Sequence, residues 1–249
     1  MSAGPGEAPD GWQRVRKVRT YEQVMGQIER QIDDGTLRAG DRLPSERELS
    51  ALLGISRPSL REALRVLEGL GVVDVRPGGG SAGGAVLVAE PGGGFATLLT
   101  LQLALGHFSD HDVLHTRVAL ESWVAEEAAQ RVQPEQVATM SALLDRMDDP
   151  AIAAAEFNAL DAEFHVQLAR ASGNALTSHL MASLRTAIRR RMEEAYDDLP
   201  DWRATAVTVR AEHRAILAAV ADHDEALAVT RMREHLETFW SIGSGGRAG

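Results

Sequence analysis

The chain has 249 residues, no cysteine and a formal net charge of -10. Disulfides, cysteine-ligated zinc and thiol nucleophiles are excluded, so any metal must be held by His, Asp or Glu. No run of about 18 apolar residues offers a membrane span, and the opening "MSAGPGEAPDGWQRVRK" has no signal-peptide core; the expectation is a cytoplasmic protein with no membrane partner.

The charge is unevenly spread. Trp12 to Glu90 holds 12 Lys and Arg against 11 Asp and Glu, whereas Pro91 to the end holds 14 against 23. A near-neutral first part and an acidic second part fit two domains with different partners, and only the first suits the local positive charge that phosphate binding needs.

In chain order, residues 1–20 read as a basic or disordered arm, where "WQRVRKVR" either touches phosphates or is solvated. Residues 21–90 read as three helices and a hairpin. Ser45 precedes Glu48 by three residues, a capping box that starts a helix, and Leu49, Leu52 and Leu53 form its expected buried stripe. Gly54 suits the left-handed residue that ends it. Ser56 caps a second helix with Pro58 in its first turn, and Leu60, Leu64 and Leu67 supply its core contact. Two short helices joined by a Gly-containing turn make a helix-turn-helix, and Arg57 and Arg61 stand one turn apart where a recognition helix meets bases. Taken alone, such a pair is also what a solvated helix face looks like. Strands are expected near Val72 to Arg76 and Ala85 to Ala89, around the Gly-rich "RPGGGSAGG", with a linker at 91–94.

The stretch "GTLRAGDRLPSERELSALLGISRPSLREALRVLEGLGVV" resembles the winged helix-turn-helix of the GntR superfamily of bacterial transcription regulators, particularly its FadR subfamily, over roughly Tyr21 to Val88. The resemblance implies double-stranded operator DNA as partner, contacted by Arg47, Arg57, Ser59 and Arg61, with Gly80 at the wing tip near the minor groove. The wing "PGGGSAGGAV" is longer and richer in glycine than the family's usual short turn.

From Phe95 to residue 242 the sequence is rich in Ala, Leu, Glu and Arg with helical apolar stripes and no strand, and 243–249 reads as a tail. The expected helices are Phe95 to Gly106, Ser109 to Arg131, Pro134 to Met147, Pro150 to Ala171, Asn174 to Asp197, Ala204 to Ala221 and His223 to Trp240. The fold class is therefore mainly α, a winged helix-turn-helix followed by an all-α antiparallel bundle of six to seven helices.

Asp161 and His165 share a helix face beside Phe157, Leu160, Phe164 and Leu168. Such a pair alone is ordinarily a mild surface interaction. His213 sits among Val209, Ile216, Leu217 and Val220, and His235 among Met232, Leu236 and Phe239, so both point inward as well. Buried polar groups need partners, and one divalent cation would satisfy all four residues. Imidazole nitrogens with one carboxylate suit zinc first, with nickel, manganese or iron also accommodated. A rival triplet, His107, His111 and His115, has the right spacing, but a helix N-cap at Ser109 or Asp110 would leave His107 outside.

This half resembles the FCD effector domain that accompanies FadR-type readers, on "DAEFHVQLARASGN", "EHRAILAAVADHDEALA" and "MREHL". The resemblance implies Asp161, His165, His213 and His235 as metal ligands and Arg117 as the residue that holds an effector carboxylate. Arg117 four residues before Glu121 also reads as an intrahelical ion pair. The leading expectation is a homodimeric regulator, commonly a repressor, responding to a small organic acid. A metal-dependent enzyme fused to a DNA reader and a metal-free acyl-responsive regulator are the alternatives.

Overall fold

The computed structural model describes residues 20–76, 84–89, 92–197 and 201–244. The chain divides into two compact units, Met1–Gly92 and Gly93–Gly249. The basic arm at 1–19, the wing tip with Gly80 and the last residues, 245–249, lie outside the described residues.

The first unit contains α1 (Thr20–Asp33), α2 (Glu46–Leu53), α3 (Arg57–Gly69) and an antiparallel hairpin of β1 (Val73–Arg76) and β2 (Gly84–Leu87). Its register pairs Val73 with Leu87 and Arg76 with Gly84, and Arg42 adds an isolated bridge to Val86. Ser45 and Glu48 form the reciprocal capping box that begins α2. Gly54 ends the helix at φ 64°, a left-handed conformation that side chains with a Cβ resist. Ser56 caps α3 by accepting from the Ser59 amide, with Pro in the first turn. The core is Val24 and Ile28 of α1, Leu60, Leu64 and Leu67 of α3, and Val73, Ala85 and Leu87 of the hairpin.

The α2 stripe differs from expectation in one place, because Leu52 is 74 % exposed. Leu49 and Leu53 lie within 40° of each other at 100° per residue, whereas Leu52 is turned to the opposite side of that pair from Ser50. The inward face runs through Leu49, Ser50 and Leu53, of which Ser50 is buried and the two leucines half-buried. The strands are also slightly shorter than expected.

The second unit has seven helices among the described residues: α4 (Gly94–Ala104), α5 (Asp110–Arg131), α6 (Pro134–Met147), α7 (Ala154–Ala171), α8 (Ala175–Asp197), α9 (Trp202–Ala221) and α10 (Glu225–Ser244). The main core runs through α5 to α10, with Phe157, Phe164, Met140, Leu144, Leu168, Ile216 and Met232 fully enclosed. α10 packs on α5 and α9, and α7 on α5, α6 and α8, which brings three helices with inward histidines together. α7 begins four residues later than expected: the Asp149 side chain accepts from the Ala151 amide and holds Asp149 to Ile152 in a turn. Ser109 caps α5 through a capping box with Asp112, which puts His107 before the helix.

Candidate metal centre and nucleic-acid interface

On the first unit, the residues expected to read DNA cluster at the start of α3 and on α2. Arg57 and Arg61 are more than half exposed and converge on one carboxylate, with Arg61 Nε 2.7 Å and Arg57 Nη2 3.8 Å from Glu46 Oε2. Arg47 is exposed on α2, and Ser59, half-buried, shares a 2.8 Å hydrogen bond with Ser56 Oγ. The fork from Glu46 orients both guanidinium groups without burying them, so they remain open to an acceptor such as a phosphate or guanine edge.

The second unit buries a charged cluster in its centre. Asp161 and His165 come from α7, His213 from α9 and His235 from α10; one donor atom of each lies within 4.8 Å of the others, and all four are buried. His213 Nε2 is 3.2 Å from Asp161 Oδ1, and the His165 and His213 rings meet edge to face at 5.2 Å. Both ring nitrogens of His165 and of His213 lack a well-aligned hydrogen-bond partner. Poorly partnered polar atoms in a core cost about 1–3 kcal/mol each, and a donor set of this kind could hold a cation. The rival histidines lie elsewhere: the His111 and His115 rings meet at a tilt of 52° on the exposed start of α5, and His107 bonds Gln102.

Two arginines and a second carboxylate surround this set. Arg117 of α5 is buried, and its Nε donates to Glu121 Oε1 at 2.7 Å, so the intrahelical ion pair does form. Arg185 of α8 bridges the two acids, donating from Nη1 to Asp161 Oδ2 at 3.0 Å and from Nη2 to Glu121 Oε2 at 2.9 Å. Glu121 Oε2 also approaches His165 Nδ1 to 2.5 Å. Arg117, Arg185, Glu121 and Asp161 thus balance in formal charge. At the rim, the Nδ1–H of His235 donates to Glu212 Oε2 at 2.8 Å.

This network sets the protonation states. Burial drives the His165 imidazole down to about 3, Arg185 adds to the effect, and Glu121 and Asp161 oppose it. Burial likewise pushes His235 well below its ordinary range, aided by His213. For Asp161 and Glu121 burial acts upward but is outweighed, by Arg185 and His213 in one and by Arg117 and Arg185 in the other, and both carboxyls lie well below the usual range. Neutral imidazoles beside ionised carboxylates are the forms that bind metals.

Arg185, Glu121 and Glu212 were not singled out as site residues by the sequence reading. A signal existed for two of them. Arg185 falls on the inward stripe of α8 with Met181, Leu184 and Ile188, and Glu121 on that of α5 with Val124, Ala125 and Ala128. Glu212 gives no such sign, being an ordinary half-exposed acid until α10 is laid beside it.

A winged helix-turn-helix followed by a helical domain that buries a cluster of metal-donor residues is the architecture of a transcription regulator, and similarity to known proteins agrees. Residues 20–82 match the family described as bacterial regulatory proteins, gntR family, and residues 112–238 match the FCD domain. An HTH-type transcriptional regulator of Bacillus subtilis, YcbG, is 31% identical over 223 residues, covering 90% of this chain and 89% of that one. The HTH-type transcriptional repressor NanR of Klebsiella aerogenes is 29% identical over 230 residues, covering 90% and 85%. The solved structure of Streptococcus agalactiae GntR superposes with a TM-score of 0.62 at 24% identity, covering 89% of this chain and 99% of that one. The chain belongs to the GntR family of DNA-binding transcription regulators and carries an FCD effector domain.

Proposed function

We propose that the protein is a cytoplasmic, homodimeric repressor whose operator binding responds to a small carboxylate held at a divalent-metal centre in the helical unit. In this reading residues 21–90 read DNA, 91–94 link, and 95–242 bind effector and dimerise. The observation that carries it is the buried convergence of Asp161, His165, His213 and His235, with both nitrogens of two histidines lacking a well-aligned partner.

Three imidazoles and one carboxylate fit zinc best, followed by nickel, manganese or iron. Held there, a divalent cation would supply a Lewis-acidic site for an anionic ligand. The surrounding residues argue for an anion too. Their charges already balance, so a cation would leave the centre with uncompensated positive charge in a poorly screened interior. Arg117, fixed by Glu121, is the guanidinium we assign to the effector's carboxylate. A sugar acid or hydroxy acid would satisfy both. A metal-free acyl pocket is disfavoured by the same buried polar set, since an acyl chain leaves those nitrogens without partners.

Arg47, Arg57, Ser59 and Arg61 are assigned to the operator, with Gly80 at the wing tip. Two copies reading a pseudo-palindrome is the arrangement helix-turn-helix proteins favour. Association is supported by an exposed apolar face, with Phe95, Leu98 and Leu101 of α4 and Leu105 and Phe108 just beyond it all 44–68 % exposed. The name of NanR as a repressor favours repression over activation.

The test is elemental analysis of tag-free protein prepared without chelator, beside Asp161→Ala and His165→Ala. The expected result is about one equivalent of transition metal in the wild type, lost in both variants. Wild-type protein that takes up no zinc, nickel or manganese would overturn the metal-centred reading.

A further inference from the structure

Glu212 stands on α9 immediately before His213, so the two side chains leave the helix about 100° apart and cannot both face the centre. His213 faces inward and is fully enclosed, while the Glu212 side chain keeps 21 % exposure at the rim. From there it crosses to α10, where its Oε2 accepts a 2.8 Å hydrogen bond from His235 Nδ1. The His235 ring is 3 % exposed, and a neutral imidazole that donates from Nδ1 to a carboxylate carries its one ring proton there. With that proton on Nδ1, the lone pair is on Nε2, on the far side of the ring.

We propose that Glu212 is a positioning residue of the metal centre: it fixes His235 as the Nδ1–H tautomer and presents its Nε2 to the cation. The inference rests on the metal reading above. A carboxylate behind a ligating imidazole locks ring orientation, selects the tautomer and raises the basicity of the free nitrogen. The other two histidines are held differently. Glu121 approaches His165 but is shared with Arg117 and Arg185, and His213 has no well-aligned partner, its Nε2 lying 3.2 Å from Asp161, itself a donor of the set. His235 therefore depends on a single acid, and that acid lies at the edge of the bundle, where it can be replaced without opening the core.

The experiment uses the full-length protein as wild type, Glu212→Ala and Glu212→Gln. Zinc affinity is read by competition with a chromophoric chelator, and the tautomer by nitrogen NMR of metal-free protein labelled at histidine. Glu212→Ala should weaken zinc binding about 10–100-fold. Glu212→Gln, whose side-chain carbonyl still accepts from Nδ1–H, should recover most of that loss. The wild-type spectrum should show His235 protonated at Nδ1, and Glu212→Ala a mixture of tautomers. Unchanged affinity in Glu212→Ala, equal losses in both variants, or a wild-type proton on Nε2 would each overturn the proposal. Wild-type protein that binds no zinc would sink the metal reading instead, while the wild-type metal-free spectrum would still decide the tautomer whether or not the variants fold.

Discussion

Zinc should stabilise the helical unit through His213, and His213→Ala should abolish that gain. His213 is fully enclosed, 3.2 Å from Asp161 and in ring contact with Phe164, so it is both core and donor. Its replacement removes packing, worth a few kcal/mol, and the contact with Asp161, but also removes buried ring nitrogens without a well-aligned partner, worth about 1–3 kcal/mol each, so these changes oppose one another. The informative quantity is the zinc-dependent difference within each protein, in which the packing change cancels. A ligand at 100 times its Kd stabilises the folded state by about 2.7 kcal/mol. For a unit the size of Gly93–Gly249, that corresponds to a rise in Tm of roughly 5–11 °C. Scanning calorimetry with and without zinc, at a concentration set from the measured wild-type Kd, should show this rise in the wild type and none in the variant. An equal rise in both proteins would refute the assignment of His213 as a ligand.

The remaining predictions concern the reader, the effector and acid. Arg61→Ala should weaken specific operator binding by roughly 1–3 kcal/mol if the side chain reads a base, measured by fluorescence anisotropy on a selected site, and unchanged affinity would remove Arg61 from the reading set. Arg117→Ala should leave zinc bound while abolishing the response of operator binding to an organic acid found by thermal-shift screening; an intact response would transfer the carboxylate to another group. Chelator-treated protein should lose stability as pH falls below about 6.5. His165 is depressed to about 3 and His235 is depressed too, so each takes up a proton on unfolding below the ordinary imidazole value, and their contribution is present above that value and lost beneath it. The slope should approach about 1.4 kcal/mol per pH unit for each group, with Asp161 and Glu121 adding theirs below about pH 4. Arg117, Arg185 and His213 face the same cluster, so a flat stability profile from pH 7 to 5 in chemical denaturation would show that the imidazoles are not held neutral as a group.

Local chemistry was legible in the sequence and partnership across helices was not. The Ser45 and Glu48 box, the left-handed Gly54 and the Ser56 cap each act within four residues, so their meaning is complete in the string. Leu52 misled because leucines at 49, 52 and 53 fit a stripe of spacing three and four, and the stripe can be centred on either side; α3 decides that only in three dimensions. The convergence of His213 and His235 on Asp161 and His165 was readable because each histidine interrupts an apolar stripe. Arg185 and Glu121 interrupt stripes as well, but pairing them requires knowing that residues 64 apart meet. Glu212 meets His235 only through the rotation of α10 against α9, which no periodicity encodes.

The position of the polar cluster bears on how a ligand could act at all. A hydrophobic core of the same volume would make a more stable bundle, because a buried ion pair seldom outdoes packed apolar side chains and a histidine without partners costs stability outright. Here those groups come from five helices: Arg117 and Glu121 from α5, Asp161 and His165 from α7, Arg185 from α8, His213 from α9 and His235 from α10. A cation at the donors would tie α7, α9 and α10 directly, and its charge would act on the Arg185 bridge to α8 and on the Arg117 pair of α5. An anion that binds the cation and Arg117 together would then change the balance among all five at once. A ligand shifts a conformational equilibrium only by its differential contacts in the two states, so a centre wired to most of the bundle gives a small acid the widest leverage the fold offers. On this argument the stability given up in the core is the condition for response; Arg185→Met alone strands the buried Asp161 and Glu121 carboxylates, so it should destabilise the bundle near pH 7 as well as weaken the effector response, and denaturation of the variant no easier than that of the wild type would refute the bridging role.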